Sequence, residues 1–297
     1  MLSAHRSVDN KRNAATLGGV SRDAGSGTEP GSPAGSKRAT RGRGKVGNQD
    51  ITNSVLEAIF RSGTSRVAAL AADLGVSEVS VRKSLNKLEQ QGLVRRYHGE
   101  ARLYDGDDIP FRMHLHYAEK QAIARRAAEL VLPGDTILLE AGSAIAMFAQ
   151  RIRDTRGLTV ITTNLYIARS FRGSKAQVVV LGGLYQEESE SLVGPAVCES
   201  VREIGFSKAF IGVSGFTTAS GFMLNDVARA DVTRAILERG VECGAATWIL
   251  TDSSKFGVSH AAVVCPDLAL VSGIVTDPGI ADEYRSHFLN AGLQVLS

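Results

Sequence analysis

Apolar residues follow a helical period from residue 51 to residue 88, after an N-terminal segment that lacks one. Residues 51–60 are apolar at positions 51, 55, 56, 59 and 60, which predicts a first helix. Ser65 is predicted to cap a second helix over residues 67–74. Ser77 is predicted to cap a third, in which Val81, Leu85 and Leu88 form one buried stripe.

The third helix carries polar residues away from its buried stripe. Gly75 is predicted to form the preceding turn and Gly92 to end the helix, and residues 93–99 are typical of a β-wing. The polar side chains of the helix and wing suit phosphates and base edges: Ser77, Ser80, Arg82, Lys83, Asn86, Arg95, Arg96 and His98. One basic helix alone is more often a solvated surface. Three helices, a turn and a wing together predict a winged helix-turn-helix with double-stranded DNA as partner.

From residue 112 onward, short apolar strands alternate with helices. Helices are predicted at 114–132 and 282–291, and strands at 136–139, 158–162, 177–181, 208–213, 247–251 and 268–275. This alternation predicts a Rossmann-like, mainly parallel α/β domain with both sheet faces covered. The predicted fold class is therefore α/β, with a winged helix-turn-helix before the sheet domain.

Four segments follow from these patterns. Residues 1–49 are predicted to be a disordered basic tail, 50–105 the winged domain, 106–111 a linker, and 112–297 an effector-binding domain. The tail either tracks DNA phosphates or is a solubilising segment, or it precedes the true translation start.

Charge is distributed unevenly among these segments. Residues 1–49 hold nine Lys or Arg against three Asp or Glu, whereas residues 107–297 hold 17 against 21, and the whole chain has a net charge of +3. A basic front and an acidic body favour a DNA-binding regulator. With 43% hydrophobic residues and no apolar run near the roughly 20 residues that span a membrane, a cytoplasmic globular protein is expected. Three distant cysteines suggest neither a zinc site nor disulfides, and no cofactor is predicted.

Several predicted strands end in polar or glycine-rich loops. In an open α/β sheet, ligands lie beyond the carboxyl ends of the strands, and a helix start such as the one after Gly142 attracts anions. The loops predict a site for a phosphorylated or polyhydroxylated ligand, formed by Glu140, Gly142, Ser143, Thr163, Asn164, Gly182, Gly183, Asp252 and Lys255. Each loop alone is equally typical of a plain turn or cap.

The chain resembles the DeoR family of transcription regulators over about residues 50–297. The family's N-terminal domain carries Val-Ser-Glu-x-Thr-Ile-Arg-Arg-Asp-Leu, and residues 76–85 here read Val-Ser-Glu-Val-Ser-Val-Arg-Lys-Ser-Leu. Its sensor domain, similar in fold to sugar-phosphate isomerases, carries motifs that match Glu119-Lys120, residues 140–144, Thr163-Asn164, Gly182-Gly183, Val193-Gly194 and residues 252–257.

Some residues depart from the family pattern. Ser84 replaces an Asp of the reading helix and Glu100 replaces a wing glycine, which makes an altered operator preference the expectation. Ala144 replaces a hydroxyl residue, and residues 229–233 read Arg-Ala-Asp-Val-Thr where the family has Glu-Ala-x-Val-Lys. Arg229 either substitutes for the missing Lys at a phosphate or is a solvated helix residue.

The resemblance implies a repressor of a carbohydrate-utilisation operon that a sugar phosphate releases from DNA. A homo-oligomer, dimer or tetramer, is expected to bind operator half-sites. The alternatives are an isomerase-like enzyme and a DNA-binding protein without an effector. Neither Glu140 nor Asp252 lies in a recognisable catalytic constellation, so no enzyme activity and no catalytic residue is predicted.

Overall fold

The computed structural model describes residues 48–62, 64–91, 93–97, 100–103 and 109–297. Most of the predicted tail, the linker residues 106–108, Gly92 and His98 lie outside these residues. The N-terminal domain comprises α1 (Asn48–Ser62), β1 (Thr64–Arg66), α2 (Val67–Leu74), α3 (Glu78–Gln90), β2 (Val94–Tyr97) and β3 (Glu100–Leu103). Its strands form an antiparallel sheet in the order β1-β3-β2. The helical stripes predicted for α1 and α3 meet in one core, which includes Val55, Ile59, Val81, Leu85 and Leu88. The winged helix-turn-helix is confirmed.

The cap of α2 differs from the prediction. Arg66 is the N-cap residue, and Ser65 lies in β1, where its hydroxyl is 2.8 Å from that of Ser62. The prediction that Ser65 caps α2 is wrong, because a short strand occupies the three residues before the helix. The cap of α3 is confirmed, since the Ser77 hydroxyl accepts the backbone N–H of Ser80 at 3.1 Å.

The C-terminal domain contains 21 further elements. In chain order these are α4 (Ile109–His114), α5 (Tyr117–Ala128), β4 (Thr136–Leu139), α6 (Ser143–Ile152), β5 (Thr159–Thr162), α7 (Leu165–Ser170), β6 (Gln177–Val180), β7 (Leu184–Gln186), β8 (Ser191–Val193), α8 (Pro195–Glu203), β9 (Lys208–Gly212), β10 (Gly215–Thr217), β11 (Gly221–Leu224), α9 (Val227–Glu242), β12 (Ala246–Leu250), a 3₁₀ turn (Ser253–Lys255), β13 (Ala262–Cys265), a second 3₁₀ turn (Leu268–Leu270), β14 (Gly273–Val275), α10 (Asp282–Asn290) and β15 (Gln294–Leu296).

Seven of these strands form one parallel sheet, in the order β15-β14-β12-β9-β4-β5-β6. In β4, Ile137 and Leu139 pack on one face with α5, α6 and α7, whereas Leu138 packs on the other with α8, α9 and α10. Burial on both faces explains the continuous apolar runs of the strands. The predicted α/β class is confirmed. The sequence reading missed the antiparallel sheet β10-β11-β13 and the hairpin β7-β8.

The helix predicted over 114–132 is two helices. α4 ends at His114 and α5 begins at Tyr117, with His116 between them at φ 51°, in the left-handed region. α5 ends at Ala128, because the following N–H groups bond three residues back in tight turns. Residues 109–111, predicted to be linker, begin α4, and Ile109 and Phe111 are buried. The strand predicted at 268–275 is also divided, since its first part is a 3₁₀ turn capped by Asp267.

Candidate functional site

A cavity of about 240 Å³ lies at the carboxyl ends of the central strands β4, β9 and β12. From β4 the chain moves outward to β5 and β6, and it then returns to β9 on the other side of β4. Such a reversal of strand order is where open α/β sheets bind ligands. We call this space the strand-end cavity, and it is lined by Phe60, Arg112, Leu115, His116, Lys120, Gly142, Ser143, Ala144, Gly212, Val213, Ser214, Leu224, Asn225, Arg229, Leu250, Thr251, Asp252, Lys255 and His260.

The N-terminus of α6 forms one wall of the strand-end cavity. Gly142 holds the N-cap position at φ 109°, a conformation that glycine adopts without strain. A Cβ atom at Gly212 would lie 2.5 Å from the carbonyl oxygen of Ala141, so only glycine lets the two strand ends approach so closely. The first N–H groups of a helix and its dipole attract anions. This wall therefore suits a negatively charged ligand group.

Lys120 is a buried cation at the cavity. Only 5% of the residue is exposed, and its ammonium donates to the carbonyl oxygens of Arg112 at 2.6 Å and Leu115 at 2.7 Å. Burial lowers its pKa to about 8, although the Asp252 carboxylate acts in the opposite direction. The sequence reading noted Lys120 only as part of a family motif. A signal was present, because Lys120 falls on the buried stripe of α5 with Ile123, Ala124 and Ala127.

Asp252 caps the 3₁₀ turn that follows β12, and Lys255 is the last residue of that turn. The Asp252 carboxylate accepts hydrogen bonds from the backbone N–H and the hydroxyl of Ser254. Burial alone would raise the pKa of Asp252, but the Lys120 ammonium, Ser254 and Lys255 together hold it below its usual value. Asp277 fixes the same turn by accepting the Ser253 N–H at 2.6 Å and its hydroxyl at 2.9 Å. The turn thus presents an ionised carboxylate and an ammonium to the strand-end cavity.

Arg229 and Glu140 form a buried ion pair. Their side chains are 6% and 2% exposed, and Glu140 Oε1 accepts from Arg229 Nη2 at 2.8 Å and from Nε at 3.2 Å. Glu140 Oε2 is buried and has no hydrogen-bond partner among the described residues. Arg229 is placed by Asp226, which caps α9 by accepting the Arg229 N–H. Arg229 lines the strand-end cavity, whereas Glu140, which balances its charge, is not among the lining residues.

Besides Glu140, four of the predicted site residues are not among those that line the strand-end cavity. Asn164 caps α7 by accepting the Ile167 N–H at 3.0 Å, and it donates to the Ser189 carbonyl at 2.8 Å. The Thr163 hydroxyl donates to the backbone carbonyl of Glu140 at 3.3 Å. Gly182 is exposed beyond β6. A Cβ atom at Gly183 would lie 2.2 Å from Val197 Cγ2, so packing alone accounts for that glycine.

The cavity combines some predicted residues with others that the sequence reading missed. The predicted residues that line it are Gly142, Ser143, Arg229, Asp252 and Lys255. Ala144, which departs from the family pattern, lines it too. The missed lining residues come from the end of β9, the turn before α9, the loop before β13 and the α4–α5 region, and they include Lys120, Ser214, Asn225 and His260. Among the described lining residues, the ammonium groups of Lys120 and Lys255 lie beside the single carboxylate of Asp252, and Arg229 is paired with Glu140. The cationic side chains and the helix N-terminus favour an anionic occupant.

The N-terminal domain presents α3 and the wing on one surface. Arg82, Lys83, Asn86 and Arg96 are exposed, and Ser77 and Ser80 lie at the start of α3. Three arginines of this surface pair with glutamates: Arg82 with Glu78 at 2.7 Å, Arg96 with Glu89 at 2.8 Å and Arg66 with Glu100 at 3.3 Å. Arg95 lies in β2, its side chain is outside the described residues, and so is the whole of His98.

Ser84 does not lie on this exposed surface. It is buried against α1, where its hydroxyl oxygen accepts from Thr52 at 3.3 Å. The substitution Asp to Ser therefore removes the family's charge from the buried side of α3 and not from its exposed surface. A hydroxyl at this position fits the α1–α3 contact, because the neutral pair needs no counter-ion.

The described residues contain neither a candidate membrane span nor a candidate metal cluster. No helix among them is long and apolar enough to cross a membrane. No group of three or more His, Cys, Asp or Glu residues there could hold a metal ion.

Comparisons with known proteins follow the same division of the chain. The model of the DeoR-like helix-turn-helix domain matches residues 52–106, and that of the DeoR C terminal sensor domain matches residues 115–278. The chain is 28% identical to the transcriptional repressor AccR of Agrobacterium fabrum, over 78% of this chain and 90% of that protein. It is 25% identical to the glycerol-3-phosphate regulon repressor of Escherichia coli, over 76% of this chain and 89% of that protein.

A solved structure also aligns with part of the chain. Ribose 5 phosphate isomerase A from Neisseria gonorrhoeae matches 47% of this chain and 53% of its own, at 17% identity and a TM-score of 0.32. The sensor-domain match alone covers more than half of the 297 residues. The chain therefore belongs to the DeoR family, as a DNA-binding transcription regulator with a sensor domain for a small-molecule effector.

Proposed function

We propose that this regulator represses a carbohydrate-utilisation operon and that a sugar phosphate in the strand-end cavity releases it from DNA. The observation that carries the proposal is the convergence of the α6 N-terminus with Lys120 and Lys255 at the point where strand order reverses. A phosphate group can accept hydrogen bonds from the two ammonium groups and from the first N–H groups of α6, and the carboxylate of Asp252 can accept hydrogen bonds from sugar hydroxyl groups. AccR is a transcriptional repressor, which agrees with repression, and the Escherichia coli relative is a glycerol-3-phosphate regulon repressor, which agrees with a phosphorylated effector.

Repression requires that the N-terminal domain bind an operator. We propose that the contacts come from the residues predicted from the sequence, with the winged domain at 50–105 and the sensor at 112–297. Two copies of the chain would then bind operator half-sites as a cytoplasmic homo-oligomer. The proposed contacts are Ser77, Ser80, Arg82, Lys83, Asn86, Arg95, Arg96 and His98.

An isomerase-like activity is less compatible with the cavity. Sugar-phosphate isomerisation needs a carboxylate base beside the phosphate site. Glu140 is bound to the Arg229 guanidinium, and the pKa of Asp252 is held low by Lys120, Ser254 and Lys255 against the effect of burial. Asp252 is therefore a poor proton acceptor at neutral pH, and Glu140 is held in its ion pair with Arg229.

Binding of a sugar phosphate is tested first, on the full chain. Thermal unfolding is followed with glycerol 3-phosphate, ribose 5-phosphate, glucose 6-phosphate, fructose 6-phosphate and the matching unphosphorylated compounds. A ligand at about one hundred times its Kd stabilises by about 2.7 kcal/mol, a rise in Tm of about 5–10 °C for a domain of this size. A rise with a phosphorylated compound alone supports the proposed ligand class.

Release from DNA is tested next, on operator fragments selected from host genomic DNA by the full chain. The stabilising phosphate is expected to weaken DNA affinity in fluorescence anisotropy. Lys255→Met should shift this response to higher ligand concentration. Lys208→Met, which removes a lysine paired with Asp135 at the other end of β9, should respond like the wild type. A bound sugar phosphate that leaves DNA affinity unchanged, or that is turned over, would contradict the proposed function.

A further inference from the structure

The N-terminal domain supplies part of the wall of the strand-end cavity. Phe60 on α1 lines the cavity, is 50% exposed, and has its ring centroid 6.0 Å from that of Phe111 on α4. Arg112, Leu115 and His116, from the α4–α5 region, line the same space. A ligand in the cavity therefore meets the helix pair that joins the two domains, as well as the sheet ends.

The turn between α4 and α5 is held by the N-terminal domain. His116 has φ 51°, which is uncommon for a residue other than glycine. Its backbone N–H donates to the carboxylate Oε1 of Glu57 on α1, at 2.9 Å. A hydrogen bond to a charged acceptor is stronger than one between neutral groups, so this contact supports both the unusual backbone conformation and the position of α1.

Lys120 holds the same turn from the cavity side. Its ammonium donates to the carbonyl oxygens of Arg112 and Leu115, which flank the end of α4. Its own N–H donates to the carbonyl oxygen of His116 at 3.0 Å. Glu57 of the N-terminal domain and Lys120 of the C-terminal domain thus both form hydrogen bonds to this turn.

We propose that Lys120 couples occupancy of the strand-end cavity to the position of the N-terminal domain. An anionic group in the cavity draws the ammonium away from the carbonyl oxygens of Arg112 and Leu115. The turn then loosens, and the contact between His116 and Glu57 weakens. This inference rests on the proposed function in one respect, namely that the occupant is an anion.

The hydrogen-bonding capacity of an ammonium supports this step. Lys120 has three donors, of which two are used by neutral carbonyl oxygens. An anion first takes the third donor and then competes for the other two, since charge-assisted hydrogen bonds are about twice as strong as neutral ones. A ligand shifts a conformational equilibrium only through such a difference in interaction between two states. The coupling is reciprocal, so the docked arrangement of α1 lowers the affinity of the cavity for the anion.

Hydrogen–deuterium exchange of the full chain tests the coupling, with inorganic phosphate as the probe and thermal unfolding as the independent measure of binding. Saturating phosphate is expected to accelerate exchange in peptides over residues 112–120 by about tenfold, the effect of losing one hydrogen bond to a charged group. Lys120→Met should show the fast exchange without phosphate and no further change with it. Lys208→Met, the matched lysine control, should behave like the wild type.

Glu57→Ala provides a second variant that does not depend on a buried substitution. It removes the acceptor of the His116 N–H, so exchange over 112–120 should again be fast without phosphate. Wild-type exchange in both Lys120→Met and Glu57→Ala would overturn the coupling. Binding of phosphate without accelerated exchange would overturn it too, while leaving the proposed function intact. If neither inorganic phosphate nor any sugar phosphate binds, the proposed function fails and the coupling fails with it.

Discussion

The buried pair of Glu140 and Arg229 gives the most quantitative prediction. Glu140→Gln keeps the shape of the side chain and removes its charge, which leaves the Arg229 guanidinium 6% exposed without a counter-charge. Removing one partner of a buried ion pair costs about 3–5 kcal/mol. The loss is expected at the upper part of this range. The new amide group takes the place of Glu140 Oε2, which has no hydrogen-bond partner among the described residues, so its N–H groups are also left unsatisfied.

The assay is urea unfolding followed by tryptophan fluorescence. Trp248 is the single tryptophan of the chain and is buried in β12, so its emission reports on the sensor core. Arg229→Met should destabilise by a similar amount, because it leaves the Glu140 carboxylate buried alone. The double variant Glu140→Gln/Arg229→Met removes both charges. It should be more stable than the sum of the single effects predicts, by at least about 2 kcal/mol.

An exposed pair offers the matched control. Arg126 and Glu129 lie three residues apart at the end of α5, with side chains 45% and 57% exposed. Glu129→Gln should change the free energy of unfolding by less than about 1 kcal/mol, as for other surface pairs. The reasoning is refuted if Glu140→Gln is equally mild. A coupling energy near zero in the double-mutant cycle would have the same meaning, since the two charges would then not depend on each other.

Three further predictions concern DNA affinity, pH and the cavity wall. Arg82→Ala should weaken operator binding by about tenfold or more in fluorescence anisotropy; unchanged affinity would remove α3 from the proposed contact surface. Phosphate affinity, measured by calorimetry, should fall as pH rises through about 8, because Lys120 loses its charge there while the phosphate remains a dianion. Between pH 8 and 10.5 Lys120 is protonated in the unfolded state but not in the folded state, so its contribution to the free energy of unfolding rises with pH over that interval. Lys120→Met should abolish both pH dependences. Gly212→Ala places a Cβ atom 2.5 Å from the Ala141 carbonyl oxygen and should cost about 1–3 kcal/mol in thermal unfolding and impair ligand binding; wild-type behaviour would show that the two strand ends can separate without consequence.

Local patterns were sufficient to predict most of the fold. The structure contains both the cap at Ser77 and the buried stripe of Val81, Leu85 and Leu88. Each of these features depends only on residues that are close to each other in the sequence. The apolar runs of the parallel strands were equally readable, because burial on both faces leaves few positions for polar residues. The break between α4 and α5 at His116 could not be predicted from the local sequence, because no glycine or proline marks the turn. Its left-handed conformation depends on Glu57, 59 residues earlier in the chain.

The site was less predictable because its decisive contacts join distant parts of the chain. The charge reversal at Arg229 was visible in the sequence, but its partner Glu140 is 89 residues away and was itself assigned to the ligand. The burial of Lys120 was readable from its place on the stripe of α5, whereas its acceptors were not. The loops after β5 and β6 share the composition of a ligand loop and serve as a cap and a close packing contact instead. Strand order decides between these outcomes, since only the ends of β4, β9 and β12 meet at the reversal point.

The paired arginines of the N-terminal domain bear on how such a regulator distinguishes DNA sequences. Arg82 and Arg96 are already bound to Glu78 and Glu89, and all four side chains are at least 35% exposed. Such pairs contribute about 1 kcal/mol or less. If these arginines contact DNA as we propose, a phosphate that reaches one of them in the correct geometry would displace the glutamate at little cost, whereas a phosphate in the wrong register would also meet the carboxylates and be repelled. The glutamates would then lower the sequence-independent electrostatic affinity more than they lower binding to a matched operator, which would raise the ratio between the two.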